Sequence, residues 1–598
     1  MSSFWNKKNA AILAVVAIGL LLRVWGINHG LPSSYYPDER HMINRALSFG
    51  TGDLNPHWFH KPALYMYLLF FQYGMFFLLG KMVGLFGTVT DFARLYVNDL
   101  SSFLIIGRAT TALFGTATVL LAYVVGQKIY GKRTALIAAC FLACTFAHVE
   151  SSHHIKADIP MGFFALLSFL FIYQILETGS LRNYLLAGLF AGLGVATKYS
   201  PVVLVFPLFM AHLSFLHSER PFPWRKVING KLLLAFLLLV IGFFLGSPFN
   251  FLDPYYFRSQ LSPMFQAKIA AGGAVGDFSL LSTLKALTNP LIHCGRVILR
   301  AEGMGAILGS LSLLGIPFLI FRGQKGDRLI VLTVLTFVYS FDLLFKSYAQ
   351  AHHLNFVYPF LCLGAAAAIF QIMERILPGR PKVLDFPRGA LIVAVPVLLA
   401  LPSVYTIVRF DYRISHKDTR TVAKEWVEMN IPVGTKILVD DYCVPLKMSS
   451  ERVKELAYRA EAEDQQGPFT AHAAAYYRYY FETVEEPTYY LLEISHPWWK
   501  LEEDQAGTFR LRSEHDRDFG NPVKEWGVLS LKEYRALGFE YLITTHREIW
   551  TYLRGPRGER FPSFLRFYQD VEREAYLLHS FDPHPVKRPG PKVFIYQL

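Results

Sequence analysis

Two adjacent carboxylates, Asp38 and Glu39, lie about ten residues beyond the first apolar run of the chain. An apolar run of that kind is typical of a membrane helix, so the pair is expected close to a membrane surface. A charged group near hydrocarbon costs free energy unless water, a partner or a function compensates it. The pair is therefore a candidate site for accepting a proton or orienting a ligand, although two side chains alone do not identify a reaction.

The elements around this pair indicate a membrane protein with a soluble domain at its end. The chain has 598 residues, of which 53% are hydrophobic, 15% aromatic and 18% charged. Uncharged runs long enough to cross a bilayer of about 30 Å recur from Ala10 to Arg409. The remaining residues include charged side chains, tyrosine and tryptophan at the frequencies typical of a soluble protein. We therefore predict a transmembrane domain over residues 1–409 and a soluble domain over residues 410–598.

The distribution of charge argues against a nucleic-acid partner, and the spacing of the cysteines argues against a metal site. The net charge of +13 comes from lysines and arginines in short loops between apolar runs. The positive-inside rule explains them, so no nucleic-acid partner is predicted. The five cysteines show no metal-ligand spacing and are interpreted as packing residues, with a Cys294–Cys443 disulfide left open. Lys7 and Lys8 before an uncleaved first helix place the N-terminus in the cytoplasm.

Placing every basic cluster in the cytoplasm predicts the topology. About eleven membrane-spanning helices and an outward C-terminus result. The predicted spans lie near residues 10–27, 103–126, 134–149, 160–178, 184–198, 201–217, 231–247, 304–321, 329–346, 354–373 and 389–409.

The apolar run from Ala63 to Gly80 does not fit this arrangement, because counting it would invert every later loop. We expect it to lie along the outer interface, as an apolar helix rich in tyrosine and phenylalanine can do. A true span compensated by one miscounted helix is the alternative. With the first topology, the charges that are hardest to explain collect on the outer face, where ATP and nucleotide sugars are absent. No phosphate-binding glycine loop is found either.

Several short motifs then resemble a known family by their order and sidedness. They are Asp38-Glu39, His60-Lys61-Pro62-Ala63-Leu64-Tyr65, Gly107-Arg108, Tyr130-Gly131-Lys132-Arg133, Asp158, Gly192-Leu193-Gly194-Val195-Ala196-Thr197-Lys198 and Pro248-Phe249-Asn250-Phe251-Leu252-Asp253-Pro254. Together they resemble the GT-C glycosyltransferases of the protein O-mannosyltransferase and aminoarabinose-transferase type. Each motif is weak alone, and the resemblance covers roughly residues 10–410.

The resemblance implies transfer of a sugar, with inversion, from a polyprenyl-phosphate carrier to an acceptor hydroxyl. A hydroxyl is a poor nucleophile, and a carboxylate within hydrogen-bond reach can take its proton. We assign that role to Asp38. Glu39 is expected to orient the acceptor, a metal or a basic partner. The implied partners are a polyprenyl-phosphate-linked sugar, the bilayer, and an acceptor that is a protein, a lipid or a glycan.

Fixed cations should surround the phosphate that leaves during this reaction. The candidates are Lys61, Arg108, Lys156 and Arg258. The alternative for each is an interfacial side chain with its charged head in water. For Lys61 and Arg108 the motif context favours a functional role.

Four further residues are expected to support the site: Asp158, His154, Lys198 and His353. Asp158 could instead serve only as the N-cap of the helix that it begins. The pairs His153-His154 and His352-His353 suggest zinc, but adjacent histidines diverge on a helix and no third ligand has a fixed spacing. No cofactor is certain; a divalent cation held by Asp38, Glu39 or Asp158 is left open.

Two departures from the family pattern affect these expectations. Ala63 stands where a second proline is usual after Lys-Pro, which should relax the start of the helix. His352-His353 stands where an Arg-Tyr pair often precedes a proline-containing helix. The loss of a permanent cation there puts a phosphate contact in doubt, and a histidine substitute could make the site sensitive to pH.

The C-terminal region predicts a small extracytoplasmic α/β domain. Thr419 to Met429 suits a helix and Lys436 to Val439 a buried strand, and a second helix, turn and strand run from Leu529 to Thr544. The aromatic runs at residues 476–480 and 497–499 resemble sugar-stacking surfaces but more often form a core or a membrane interface.

The predicted protein is thus a polytopic α-helical glycosyltransferase of the plasma membrane with its active site outside. A lipid or glycan transporter, or flippase, is the alternative, since it would also need many helices and buried charges. We find no obvious repeat between the halves of the chain. A catalytically inactive scaffold is a third alternative.

Overall fold

The computed structural model describes residues 10–217, 224–260, 280–345, 350–376, 382–383, 386–440, 443–463, 469–495, 501–503, 509–511, 525–526, 528–545 and 562–598. The chain forms two compact units. Unit 1 comprises Met1–Ile27, Asn55–Leu69 and Gly107–Arg409. Unit 2 comprises Asn28–Leu54, Phe70–Ile106 and Phe410–Leu598. The C-terminal region therefore shares its unit with two segments that the sequence assigned to the transmembrane part.

Most of the described residues are helical. The helices, numbered in chain order, include α1 Ala10–Val24, α2 Pro37–Ser48, α3 Leu64–Met82, α4 Val89–Asn98, α5 Ser101–Tyr130, α6 Lys132–Ala143, α7 Phe146–Ser152, α8 Asp158–Thr178, α9 Leu181–Thr197, α10 Val205–Leu216, α11 Gly230–Gly246, α12 Phe249–Leu252, α13 Leu280–Leu299, α14 Ala306–Arg322, α15 Lys325–Phe345, α16 Tyr358–Ile376, α17 Arg388–Ile414, α18 Thr419–Asn430, α19 Ser450–Glu463, α20 Phe469–Thr483, α21 Leu531–Ala536 and α22 Pro562–Glu574. Short 3-10 turns occupy Phe49–Thr51, Ser200–Leu204, Trp224–Lys226 and Ala351–Phe356.

Six helical stretches among the described residues are long and apolar enough to cross a membrane, and the bent pair of α6 and α7 would add a seventh. They are Leu64–Met82, Ser101–Tyr130, Asp158–Thr178, Trp224–Gly246, Tyr358–Ile376 and Ala394–Asn430. The chain is a multi-pass membrane protein. Each of the eleven predicted spans contains a helix. The count of eleven is not established, because several of those helices, α1 and α14 among them, are shorter than a bilayer requires.

Two long helices, α3 and α13, lie outside the eleven predicted spans. α3 meets the length and composition of a span, so its position along the outer interface stays a prediction. Residues 280–299 form the helix α13, which none of the predicted spans includes. Lys285, Pro290 and Arg296 interrupt its apolar pattern, which hid the helix from a search for uncharged runs.

Helices α9 and α11 approach each other unusually closely. A Cβ added at Gly188 or Gly192 of α9 would collide with backbone carbonyl oxygens of α11. Gly246 at the end of α11 likewise packs against Ala196 near the end of α9. Only glycine permits such backbone contact. The C-terminal ends of the two helices are thereby brought together, and both lead into segments of the candidate site.

Unit 2 contains a six-stranded mixed sheet of order β7-β4-β3-β8-β10-β9. Its strands are β3 Lys436–Asp440, β4 Tyr490–Ser495, β7 Glu525–Trp526, β8 Tyr541–Thr544, β9 Tyr576–Phe581 and β10 Val593–Gln597, and the short pairs outside it are β1 Lys382–Val383 with β2 Phe386–Pro387 and β5 Leu501–Glu503 with β6 Phe509–Leu511. β3 pairs in parallel with β4 and β8, whereas β10 is antiparallel to β8 and β9. The predicted small α/β domain is confirmed as an α/β fold.

The aromatic run at residues 476–480 belongs in part to the core of this domain. Tyr477 and Tyr480 are buried in it, and the Tyr480 hydroxyl accepts a hydrogen bond from the Met448 amide at 2.8 Å. The second run, at residues 497–499, lies outside the described residues. All five cysteines are free, so the Cys294–Cys443 disulfide is not formed.

Candidate functional site

The acidic pair occupies the first turn of α2 in unit 2, where the two carboxylates have different surroundings. Asp38 is half-buried, whereas Glu39 is 0% exposed. Glu39 Oε2 accepts a hydrogen bond from Ser34 Oγ at 3.0 Å. The positive end of the helix dipole favours the ionised form of both side chains. Asp38 is thus the more accessible carboxylate and Glu39 the one built into the fold.

The segment around the acidic pair is fixed from both sides by residues of the C-terminal domain in unit 2. On one side the Tyr35 hydroxyl lies 2.7 Å from Thr421 Oγ1, and the Arg420 guanidinium lies 3.9 Å above the Tyr35 ring. On the other side Arg40 is hydrogen-bonded to the Tyr476 side chain. Asp38 and Glu39 lie between these two anchors. The aromatic run of α20 therefore contributes a structural contact to the segment that carries the acidic pair.

Unit 1 holds a cluster of paired charges that four of the candidate residues share. Lys198 Nζ lies 2.5 Å from Asp158 Oδ1. Lys156 Nζ lies 3.2 Å and 3.3 Å from the two oxygens of Glu150, and His154 Nε2 lies 3.4 Å from one of them. Asp158 and Lys156 are each 1% exposed. Buried charges are tolerated when paired, so the cluster is a fixed polar centre in an apolar unit.

Asp158 does not act as a simple helix cap. It is the first residue of α8; Ala157 occupies the N-cap position, and no side-chain capping hydrogen bond is formed there. The carboxylate of Asp158 instead accepts from Lys198, forty positions along the chain. The pair joins the start of α8 to the end of α9.

The adjacent histidines His352 and His353 lie in the turn that precedes α16 and belong to the same electrostatic site. Burial lowers the pKa of His352 to about 4, with Asp158 opposing the shift and Lys156 and Lys198 adding to it. Burial lowers the pKa of His353 to about 3, and Lys198 again adds to the shift. Both rings are therefore neutral at neutral pH and supply no permanent positive charge here.

These shifts predict how stability changes with acidity. The two histidines have folded-state pKa values below the unfolded value of 6.5, so the unfolded protein binds more protons between about pH 4 and 6.5. Their contribution to stability is complete above pH 6.5 and declines as the pH falls through that range. A His352→Asn, His353→Asn double variant should lose less stability on acidification, measured by thermal unfolding in detergent. His416→Asn in unit 2 is the control, and equal declines in the double variant and the wild type would contradict the prediction.

Lys61 lies in the irregular segment before α3, and both ends of that segment are fixed to neighbouring elements. The Phe59 carbonyl accepts a hydrogen bond from the Tyr199 hydroxyl at 2.8 Å. The Ala63 amide donates to Ser247 Oγ at 2.9 Å. The charge of Lys61 contributes to the lowered pKa of His353. Lys61 is therefore part of the electrostatic surroundings of the unit 1 cluster.

The two arginine candidates have contrasting positions in unit 1. Arg108 is 0% exposed within α5, and its Nη1 donates to the Ile27 carbonyl at 2.9 Å. Arg258 is exposed beside Pro254, Tyr255 and Ser259. Among the described residues Arg258 forms no ion pair with the cluster, so the structure does not bring it together with Lys156 or Lys198.

Sequence reasoning did not select Glu150, whose carboxylate pairs with Lys156 and lies 3.4 Å from His154 Nε2. It lies on α7, beyond the break that separates α7 from α6. The buried Arg23 stabilises that break, since it donates to the carbonyl oxygens of Leu142 and Ala143 at 3.4 Å and contacts His148 Nδ1 at 2.9 Å. The available signal was a glutamate at the end of an apolar run with a histidine four positions later.

Residues 101–246 match the family model described as dolichyl-phosphate-mannose-protein mannosyltransferase. Glu150, Asp158 and Lys198 all lie within the matched segment. A stretch of 129 residues is 30% identical to "Putative mannosyltransferase YkcB" of Bacillus subtilis (strain 168), covering 22% of this chain and 18% of that protein. The chain thus matches less than a fifth of the length of that relative. The resemblance to GT-C glycosyltransferases is confirmed by these matches.

Solved structures of similar length also align with the chain. ArnT from Cupriavidus metallidurans in the apo state aligns over 99% of this chain and 98% of its own, with 11% identity and a TM-score of 0.47. Archaeal oligosaccharyltransferase AglB from Archaeoglobus fulgidus, in complex with an inhibitory peptide and a dolichol-phosphate, aligns over 99% of this chain and 89% of its own, with 13% identity and a TM-score of 0.42.

Proposed function

We propose that the protein transfers a sugar, with inversion, from a polyprenyl-phosphate donor to an acceptor hydroxyl at the outer face of the plasma membrane. The observation that carries the proposal is the family match over residues 101–246. That segment contains the paired charges of Glu150, Lys156, Asp158 and Lys198 in unit 1. The acceptor is a protein, a lipid or a glycan.

In the proposed reaction the carboxylates and the cationic side chains have separate roles. Asp38 removes the proton of the acceptor hydroxyl while its oxygen attacks the anomeric carbon. The bond from that carbon to the phosphate oxygen breaks, and the phosphate leaves with increased negative charge. Lys61 and Arg108 stabilise this charge, with Lys156 and Lys198 contributing to the field around it. Glu39 keeps the segment that carries Asp38 in place.

The pairing of the lysines supports this assignment on physical grounds. A lysine held by a buried carboxylate keeps its charge and its position before the substrate arrives, so little reorganisation is needed during the reaction. The neutral histidines at residues 352–353 can donate or accept hydrogen bonds without adding charge.

A transfer assay separates this proposal from transport. The purified protein in liposomes is given a polyprenyl-phosphate sugar, and the lipids are analysed by mass spectrometry. Transfer releases free polyprenyl phosphate in proportion to glycosylated acceptor, whereas a flippase moves the intact donor without cleavage. Relocation of intact donor with no release of the carrier would overturn the proposal. Mass spectrometry of copurified lipids should identify the sugar on the carrier.

The proposed orientation makes a prediction about residue 90. If α3 lies along the outer interface, a Thr90→Cys variant in a cysteine-free background should react with an impermeant thiol reagent in intact cells. Protection of this cysteine, with labelling only after permeabilisation, would mean that α3 crosses the membrane. A cysteine at position 325, predicted to be cytoplasmic, is the matched control and should be protected.

A further inference from the structure

The segment that carries Lys61 is attached to the rest of unit 1 through side chains from two other segments. We infer that Tyr199, Ser247 and Asn250 form a positioning relay that fixes the backbone on both sides of Lys61 and thereby directs its ammonium group toward the donor phosphate. This inference rests on the proposed function, in which Lys61 contacts that phosphate. The three relay residues act through Lys61.

The relay is a continuous chain of hydrogen bonds that begins and ends on the Lys61 segment. The Tyr199 hydroxyl donates to the Phe59 carbonyl at 2.8 Å and accepts from Asn250 Nδ2 at 2.9 Å. Asn250 Oδ1 accepts from Ser247 Oγ, which in turn accepts from the Ala63 amide at 2.9 Å. Ser247 and Asn250 are almost fully buried. A buried chain of this kind is costly to break, because each lost link leaves a polar group without a partner.

A second set of contacts holds the preceding residues in the same way. The Gln260 side-chain amide donates to the His57 carbonyl at 3.0 Å and accepts from the Phe59 amide at 2.6 Å. Asn55 Nδ2 donates to Asp253 Oδ2 at 2.8 Å. Residues 247–260 therefore hold the whole segment from residue 55 to residue 63 in place through hydrogen bonds. This gives the motif at residues 248–254 a structural task.

Ala63 supplies one link of the relay that the usual proline could not. Its amide N–H is the donor to Ser247 Oγ, and proline has no such donor. The sequence suggested that alanine would relax the start of α3. In the structure the amide of this alanine also anchors the helix start to Ser247, directly after α11.

Lysine needs such support more than arginine would. Its ammonium group is a compact charge at the end of a flexible four-carbon chain and lacks the rigid fork that fixes arginine on a phosphate. The direction of the Lys61 side chain therefore depends on the backbone. A displacement of about 1 Å can cost a catalytic site about 100-fold in rate. Loss of the relay should therefore reduce transfer even though Lys61 itself is intact.

The first test measures the accessibility of the Lys61 amine and does not require sugar transfer. The rate of Lys61 acetylation by acetic anhydride is followed by peptide mass spectrometry in the full-length protein. Tyr199→Phe and Ser247→Ala should raise this rate several-fold, because the released segment exposes the amine. Tyr255→Phe and Ser259→Ala remove the same hydroxyls from exposed positions that do not contact the segment, and should leave it unchanged. An unchanged rate in both relay variants would overturn the inference.

The second test is a double-mutant cycle on transfer from a polyprenyl-phosphate sugar. Tyr199→Phe is expected to lower kcat/KM by about 10- to 100-fold in the wild-type background, with a much smaller effect in a Lys61→Ala background. Equal losses in both backgrounds would show that Tyr199 does not act through Lys61 and would overturn the inference. If the wild type transfers no sugar, the proposed function fails, and the acetylation result alone still decides whether the relay positions Lys61.

Discussion

Replacing Asp38 with asparagine is expected to lower sugar transfer by about 10²- to 10⁴-fold, the range that a positioned general base contributes. Asparagine has the shape of aspartate but cannot accept the acceptor's proton. Asp38 is half-buried in the first turn of α2, where the helix dipole favours the ionised form that a base requires. The substitution should therefore affect chemistry far more than folding.

The measurement is the initial rate of transfer, together with thermal unfolding of the same preparation. Asp582→Asn is the matched control, since Asp582 is an exposed aspartate paired with Lys592 at the surface of the C-terminal domain. It should retain full activity and stability. Undiminished transfer by the Asp38 variant would eliminate this residue as the base, and a large loss of stability would show that the carboxylate is needed for the fold.

The fold was predictable where periodicity was strong. All eleven predicted spans contain a helix, and the helix at residues 419–430 and the strand at residues 436–440 agree with the sequence to within about one residue. Two features of the fold were not predicted from the sequence. α13 contains a proline and basic residues that break its apolar pattern, and the division into units places residues 28–54 and 70–106 with the C-terminal region. Such long-range packing leaves no local pattern in a sequence.

The sequence indicated which residues belong to the candidate site, but it did not indicate which of them are paired. Motif order selected Asp158 and Lys198, yet nothing in their spacing indicated that they are ion-paired. Glu150 was overlooked because its role depends on the bend between α6 and α7, which Arg23 stabilises. Likewise, Asn250 belongs to a quoted motif and Tyr199 directly follows one, but only the hydrogen bonds that link them to the segment of residues 59–63 show what they do.

Breaking the Lys198–Asp158 pair from one side should have the largest effect on stability. Asp158 is 1% exposed, so Lys198→Met leaves a carboxylate buried without its nearest positive charge. Removal of one partner from a buried pair costs about 3–5 kcal/mol. The exposed pair of Lys417 with Glu425 provides the control, and Lys417→Met should cost less than about 1 kcal/mol. Unfolding by denaturant in detergent measures both changes.

A second substitution separates the structural part of this pair from its part in the reaction. The Lys198→Met, Asp158→Asn double variant buries no unpaired charge, so most of the stability should return. Transfer should stay low, because the lysine that contributes to the field around the leaving phosphate is still missing. Recovery of transfer together with stability would show that the pair only joins α8 to α9. A stable protein with a raised KM for the polyprenyl-phosphate sugar would assign the pair to donor binding.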